Sequence, residues 1–300
     1  MSRPANDQNY KAPTTGNVDS PITDEASENA RKVVEEPVSV DFDKAKFIDF
    51  TLLRKLSSGG YGKVYLMLHD RTKKFFAMKK AKISTESSSD YQLLKVLNGS
   101  NLIVNVFKEY YRNGKSLLFM TYFDRGDLHH YCRGHPLSIE QIKFCFEQLV
   151  LMFQVLRTHS IIHHDIKPSN ILVDANGYLK LIDFGLGEIV RQGKSKYRGT
   201  IVYKPPEIFL RKRYSFTADY WSGCVTLYKI HTGKLPFKFS SKTSYKRRVL
   251  KSPDDQLRNL TRQLLKKNYR DRLGYYGVDS IKVHSFFQNS QWNLLMKREN

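Results

Sequence analysis

The sequence is poor in acid. Its 300 residues hold 29 Asp and Glu against 50 Lys and Arg, a formal net charge of +21. A field of that sign favours anionic partners: nucleotides, nucleic acid, acidic proteins or anionic lipid. Cysteine is scarce as well. Cys132, Cys145 and Cys224 are the whole supply. An odd number without knuckle spacing argues against a disulfide framework and a cysteine-held metal, and for a reducing compartment. No apolar run approaches the roughly 20 residues that a membrane-spanning helix needs. The polar stretch 1–7 has no apolar segment of a secretory signal. The expectation is a soluble, intracellular protein without a membrane partner. What is present is core material: 40% of residues are hydrophobic and 13% aromatic. That suffices for one large domain or two small ones.

The charge is uneven. Residues 1–46 carry nine acids and six bases, which leaves 44 bases and 20 acids for residues 47–300. The first 40 or so residues are rich in Pro, Thr, Ser, Asn, Asp and Glu and poor in large apolar residues, a composition that predicts disorder. From Phe47 the texture changes. Phe50-Thr51-Leu52-Leu53, Lys63-Val64-Tyr65-Leu66-Met67-Leu68, Phe75-Phe76-Ala77-Met78 and Leu117-Leu118-Phe119-Met120 are short β-type runs between turn residues. Beyond residue 127 helical patterns take over. Ser138 with Gln141 forms a capping box ahead of an apolar-periodic run over 139–156. Ser252-Pro253 predicts a second helix start, with Pro at its first position.

Three groups of residues carry chemistry. The first is Leu56-Ser57-Ser58-Gly59-Gly60-Tyr61-Gly62-Lys63-Val64, a glycine-rich turn between two strands. Without side chains there, backbone N–H groups can approach a polyphosphate. Seventeen residues after Gly62, Lys79 ends the apolar strand Ala77-Met78-Lys79, and the pair reads as a phosphate clamp. The second group is His163-His164-Asp165-Ile166-Lys167-Pro168-Ser169-Asn170. The third, thirteen residues after Asn170, is Asp183-Phe184-Gly185. The order and spacing of all three together are specific where each alone is weak.

With these motifs the sequence resembles the eukaryotic protein-kinase family from about Phe50 to Phe287. The resemblance implies an α+β, bilobal protein-kinase fold. The expected divisions are a disordered acidic-leaning tail (1–46), a β-rich lobe (47–123), a helical lobe (124–290) and a C-terminal tail (291–300). It also implies roles. Ser57, Gly59, Gly60, Gly62, Val64, Ala77, Met120 (at the gatekeeper position) and Asp127 (where a ribose-contacting acid is common) would surround ATP. Lys79 would hold its phosphates. Asp165 would accept the substrate's proton, with Lys167 beside the transferring group. Asn170 and Asp183 would hold Mg2+. Thr200, after Gly199 and before Pro205-Pro206-Glu207, stands where serine/threonine kinases set a threonine against the catalytic Asp. Lys167 fits that class too. Glu207 would pair with Arg272, and the helix begun by Asp219-Tyr220-Trp221-Ser222 would brace the catalytic loop. The ending Asp279 to Phe287 is similar to the AGC kinases.

The departures carry expectations of their own. Ser57 replaces the first glycine of the loop. His164 replaces the family's Arg before the catalytic Asp, and Lys196, with Ser195 beside it, falls where a phosphoacceptor is usual. Both halves of a phospho-switch are therefore missing, and activity without activation-loop phosphorylation is expected. The helix that supplies the partner of Lys79 is short. Asp90, four before Leu94, takes the place of the usual Glu, and Glu86 is the rival. So short a helix predicts a brace in trans, from a second copy or another protein. The compact chain resembles the baculovirus protein kinase 1 group, late viral kinases linked to a basic DNA-packaging protein, and so a Ser/Thr protein substrate of basic character. Lys73-Lys74 and Arg211-Lys212-Arg213 suit import into the nucleus, so cytoplasm and nucleus both stay open. Three rivals stand beside the kinase reading: a pseudokinase scaffold, a module binding nucleic acid non-specifically on a kinase fold, and a small-molecule kinase.

Overall fold

Five strands form the first layer of the molecule. β1 (Phe50–Gly59), β2 (Gly62–His69), β3 (Phe75–Lys82), β4 (Val106–Arg112) and β5 (Lys115–Thr121) make an antiparallel sheet in the order β1-β2-β3-β5-β4. One helix, α1 (Ser89–Leu97), lies between β3 and β4 in the chain. In this computed structural model, residues 40–59, 62–82, 88–134, 137–190, 199–210, 215–239, 245–247, 252 and 254–297 are described, and 41–300 form one unit. The four predicted runs lie inside β1, β2, β3 and β5.

Register fixes which side chains share a face of this sheet. Val64 lies opposite Lys79, Lys79 opposite Leu118, and Ala77 opposite Met120. Phe76 and Met78 alternate with these and point to the outer face. There the ring of Phe42 stands 5.7 Å from Phe50, 5.2 Å from Phe76 and 4.7 Å from Phe107. The Lys108 ammonium donates to the Phe42 carbonyl at 2.6 Å, and the Tyr110 hydroxyl donates to that of Ala45 at 2.8 Å. Among the described residues, 41–46 thus pack on the sheet, although the expected tail takes them in. One aromatic ring among acids anchors 41–46, a contact that bulk composition does not reveal.

Residues 122–127 lead to the helical lobe. Its elements are α2 (Leu128–Tyr131), α3 (Ile139–Thr158), β6 (Ile161–Ile162), β7 (Ile171–Val173), β8 (Leu179–Leu181), β9 (Glu188–Ile189), α4 (Pro206–Phe209), α5 (Thr217–Thr232), β10 (Phe237–Phe239), β11 (Tyr245–Arg247), α6 (Asp255–Leu264), α7 (Asp279–Lys282) and α8 (Trp292–Lys297). The Ser138–Gln141 capping box opens α3 as predicted. Every residue of α5 from Thr217 through Tyr228 is buried, the mark of a central helix. The helix expected at Ser252 starts later. Asp254 is the cap of α6 and accepts from the Leu257 N–H at 2.6 Å. A carboxylate at that position satisfies an orphan N–H, while Ser252 accepts from the Asp254 N–H at 3.3 Å. Pro253 lies outside the described residues. All three cysteines are free, and among the described residues no helix is long and apolar enough to cross a membrane.

Candidate active site

Two polar clusters meet between the lobes. The first is built on Lys79. Its ammonium contacts Asp90 and, at 2.6 Å, Asp183 Oδ1. The other oxygen of Asp90 accepts from the Phe184 N–H at 2.7 Å. One carboxylate on the small-lobe helix thus ties the strand lysine to the Asp183-Phe184-Gly185 turn. Burial disfavours the Lys79 ammonium, but Asp90 and Asp183 outweigh it and hold the amine well above its ordinary range. Of the two rivals for this pairing the structure brings in Asp90; Glu86 lies outside the described residues. Asp90 can serve because it sits in the first turn of α1, where a carboxylate also suits the helix dipole. Leu93, Leu94 and Leu97 on the same helix are buried.

The second cluster is built on Asp165, which is 3% exposed. Lys167 Nζ donates to Asp165 Oδ2 at 2.6 Å and to the Thr200 hydroxyl at 3.0 Å. Thr200 donates to Asp165 Oδ1 twice, from its hydroxyl at 2.7 Å and its N–H at 2.8 Å. Asn170 Nδ2 donates to the Asp165 carbonyl at 2.8 Å and to Oδ2 at 3.1 Å. Burial raises the Asp165 carboxyl, but the bonds from Lys167 and Thr200 prevail and keep it below the usual value. The segment can come this close because residue 199 is glycine. Its φ is +89°, and a Cβ there would run into the His164 carbonyl oxygen.

Beneath Asp165 the backbone is held from α5. Asp219 accepts from the N–H of His163 at 2.7 Å and of His164 at 3.0 Å. His164 and Asp183 both have φ above +60°, a strained state for non-glycine residues that packing must impose. The expected pair Glu207–Arg272 is present, bidentate and buried, at 2.7 and 2.9 Å. It fixes the segment after Thr200 against the start of α5, where Arg272 also donates to the Thr217 carbonyl at 2.8 Å.

A comparison with protein-family models matches residues 50–287 to the protein kinase domain. The chain belongs to the protein kinase family. Ribosomal protein S6 kinase alpha-6 of Mus musculus is 31% identical over 301 residues, covering 93% of this chain and 39% of its own length. Ribosomal protein S6 kinase alpha-3 of Homo sapiens is 34% identical over 281 residues, covering 86% of this chain and 38% of its own. The chain thus spans about two fifths of the length of these relatives.

The remaining predicted positions fall as follows. Ser57 and Gly59 lie at the exposed end of β1; Gly60 lies outside the described residues. Gly62 opens β2 with φ +137°, and a Cβ there would lie 2.5 Å from the Lys80 carbonyl oxygen. Glycine is needed at 62 for strand approach, whatever else the loop binds. Val64, Ala77 and Met120 border Lys79 on the inner face. Asp127 is the N-cap of α2 and accepts from the His130 N–H at 2.8 Å, which commits one of its oxygens. The oxygens suited to a hard cation are Asn170 Oδ1, whose amide nitrogen is already engaged, and Asp183 Oδ2, which carries no bond among the described residues. Two such ligands fit magnesium, which takes one or two protein oxygens and completes its shell with phosphate and water.

Three neighbours of these clusters had no role assigned from the sequence. His163 accepts from the Asp165 N–H through Nδ1 at 3.2 Å and reaches the Ile182 carbonyl through Nε2 at 2.9 Å. Glu188 meets His164 Nε2 at 3.2 Å. Glu109 on β4 accepts from Ser116 and Tyr111 and, at 3.3 Å, from the N–H of Ser88, the cap of α1. Only His163 had a local signal, its place two residues before Asp165. The others are joined across strands that no spacing announces.

Proposed function

We propose that this kinase transfers the γ-phosphoryl group of ATP to serine or threonine hydroxyls of proteins. The observation that carries this reading is Thr200 and Lys167 converging on the two oxygens of Asp165. In the proposed reaction the substrate hydroxyl approaches Asp165. That carboxylate is ionised at neutral pH and takes the hydroxyl proton as the oxygen bonds to the γ-phosphorus, whose bond to the oxygen shared with the β-phosphate breaks, so that ADP leaves with that electron pair. Lys167 offers positive charge beside the same point, where negative charge spreads over the phosphoryl oxygens. Lys79 holds the phosphates, and its two carboxylates keep it charged. Val64, Ala77 and Met120 supply an apolar wall for the base, with Asp127 at the rim. Asn170 and Asp183 would hold magnesium, which would supply charge neutralisation on the phosphates. Phosphoryl transfer by wild type and by Asp165→Asn tests the reading. A fall of about 10²–10⁴-fold in the variant is expected; equal rates would overturn it.

The activation-loop expectation gains support from His164. Its side chain is 1% exposed and bonded to Glu188, so it offers no cation to a phosphate on the loop. Transfer that survives phosphatase treatment is the expected result. The trans brace is testable by specific activity against enzyme concentration. The ties from Glu109 and Asp90 hold α1 within one chain and favour a flat line. The resemblance to the late viral group names an arginine-rich protein as the substrate to assay first, against an acidic one.

A further inference from the structure

The outer face of the sheet is capped by aromatic rings at one end and, among the described residues, carries a rim of cations at the other. At the covered end Phe42 and its aromatic neighbours close the surface. At the other end β2, β3 and β5 bring together cations of one sign. Lys63 lies directly opposite Lys80, and Lys82 directly opposite Lys115. Lys80 and Lys82 are two residues apart on one strand, so all four side chains share a face. Opposed like charges destabilise an isolated sheet. None of the four is paired with an acid among the described residues. The five strands hold nine Lys and Arg and a single acid, Glu109. That acid is buried, and its carboxylate is occupied by Ser116, Tyr111 and the Ser88 N–H.

An aromatic ring completes the patch. Tyr65 lies two residues from Lys63 on β2 and directly opposite Lys55 of β1. It is half-buried and has neither a ring contact nor a hydrogen-bond partner among the described residues. Unlike the aromatics of the covered end, it is stacked on no other ring among the described residues.

We propose that this cationic end binds single-stranded nucleic acid, with phosphates on Lys63, Lys80, Lys82 and Lys115 and a base stacked on Tyr65. Cations about 5 Å apart across strands and about 7 Å apart along one form a track for a phosphate backbone. A sheet face combining such cations with an unstacked ring is the means by which single strands are held without sequence preference. An acidic peptide could use the lysines but not the ring, and a duplex keeps its bases stacked away from it. The site lies on the face opposite Lys79, so nucleic acid and ATP would bind together.

Fluorescence anisotropy of a labelled oligothymidylate with the full chain, across a salt series, tests this. Replacing Lys63, Lys80 and Lys82 together by Ala should reduce the slope of log affinity against log salt by about 2, at roughly 0.7 per lost phosphate contact. Tyr65→Ala should weaken binding about tenfold and leave the slope unchanged. An unchanged slope in the triple variant would overturn the proposal. Displacement of the oligonucleotide by polyglutamate at equal charge would overturn it in favour of an acidic protein. Should the triple variant fail to fold, acetylation of the wild-type chain replaces it. Protection of Lys63, Lys80, Lys82 and Lys115 by the oligonucleotide is expected, and protection confined to the helical lobe would refute the site.

Discussion

His164 sits where a cation would be expected and is held as a neutral ring. Burial pushes its imidazole below the ordinary value of 6.5; Asp219 and Glu188 pull the other way, and His163 adds to the depression. Because the folded ring binds a proton less readily than the unfolded one, the unfolded state takes up more protons as pH falls below about 6.5. Stability is therefore lost on acidification through that window and is level above it. His164→Asn should flatten this part of the profile, since asparagine tolerates the φ of +68° at this position. Melting temperatures of both proteins at about pH 7.5 and about pH 5.5 make the comparison. His284 is also depressed by burial, so the slope should shrink rather than vanish. An unchanged slope would show that His164 does not titrate with folding. Legibility divides sharply among such residues. Asp90 was legible because Leu94 follows it by one helical turn and Lys79 closes the apolar run Phe75-Phe76-Ala77-Met78. Glu188 was not, because its partner is 24 residues away and only the pairing of β6 with β9 joins them.

At the scale of elements, α1 is a nine-residue helix that must place one carboxylate correctly. Isolated helices of this length are marginal, so its ends need support from outside. The Ser88 hydroxyl caps the Tyr91 N–H at 3.2 Å, and Glu109 takes the Ser88 N–H. Removing Glu109 would take the acceptor from the buried Ser116 hydroxyl and from the Ser88 N–H at the helix start. Glu109→Ala should cost about 1–3 kcal/mol of stability, the range for buried polar groups left unpaired. Amide exchange at Ser89 and Asp90 should quicken more than exchange in α5. Equal acceleration throughout would mean that Glu109 supports the whole lobe and not the helix end. The sequence showed the shortness of this helix, and the expectation of an external brace followed from it. A tie from β4 was hidden because Val106–Arg112 places its one acid among aromatic and basic residues with no visible partner.

For the whole molecule the sheet, the loop around Asp165 and the helical lobe were legible because each is announced locally, by runs, caps and motif spacing. The distribution of charge over the folded surface was not, because cross-strand register decides which lysines meet. The buried pairs Lys79–Asp90, Lys79–Asp183 and Glu207–Arg272 are the main attractions and lie away from solvent, where salt screens little. The repulsions come from the basic excess, 44 bases against 20 acids over residues 47–300, and from opposed lysines such as Lys82 and Lys115. Screening at a Debye length of about 10 Å acts mostly on these. Raising sodium chloride from about 0.01 M to about 0.15 M should therefore raise the melting temperature, with the buried pairs unaffected. Lys82→Glu converts one opposed pair to an attraction. Its melting temperature should exceed that of wild type at low salt by an amount that shrinks as salt is added. A melting temperature that falls with salt in the wild type would mean that exposed pairs such as Arg258–Asp255 outweigh the net repulsion of the basic surface.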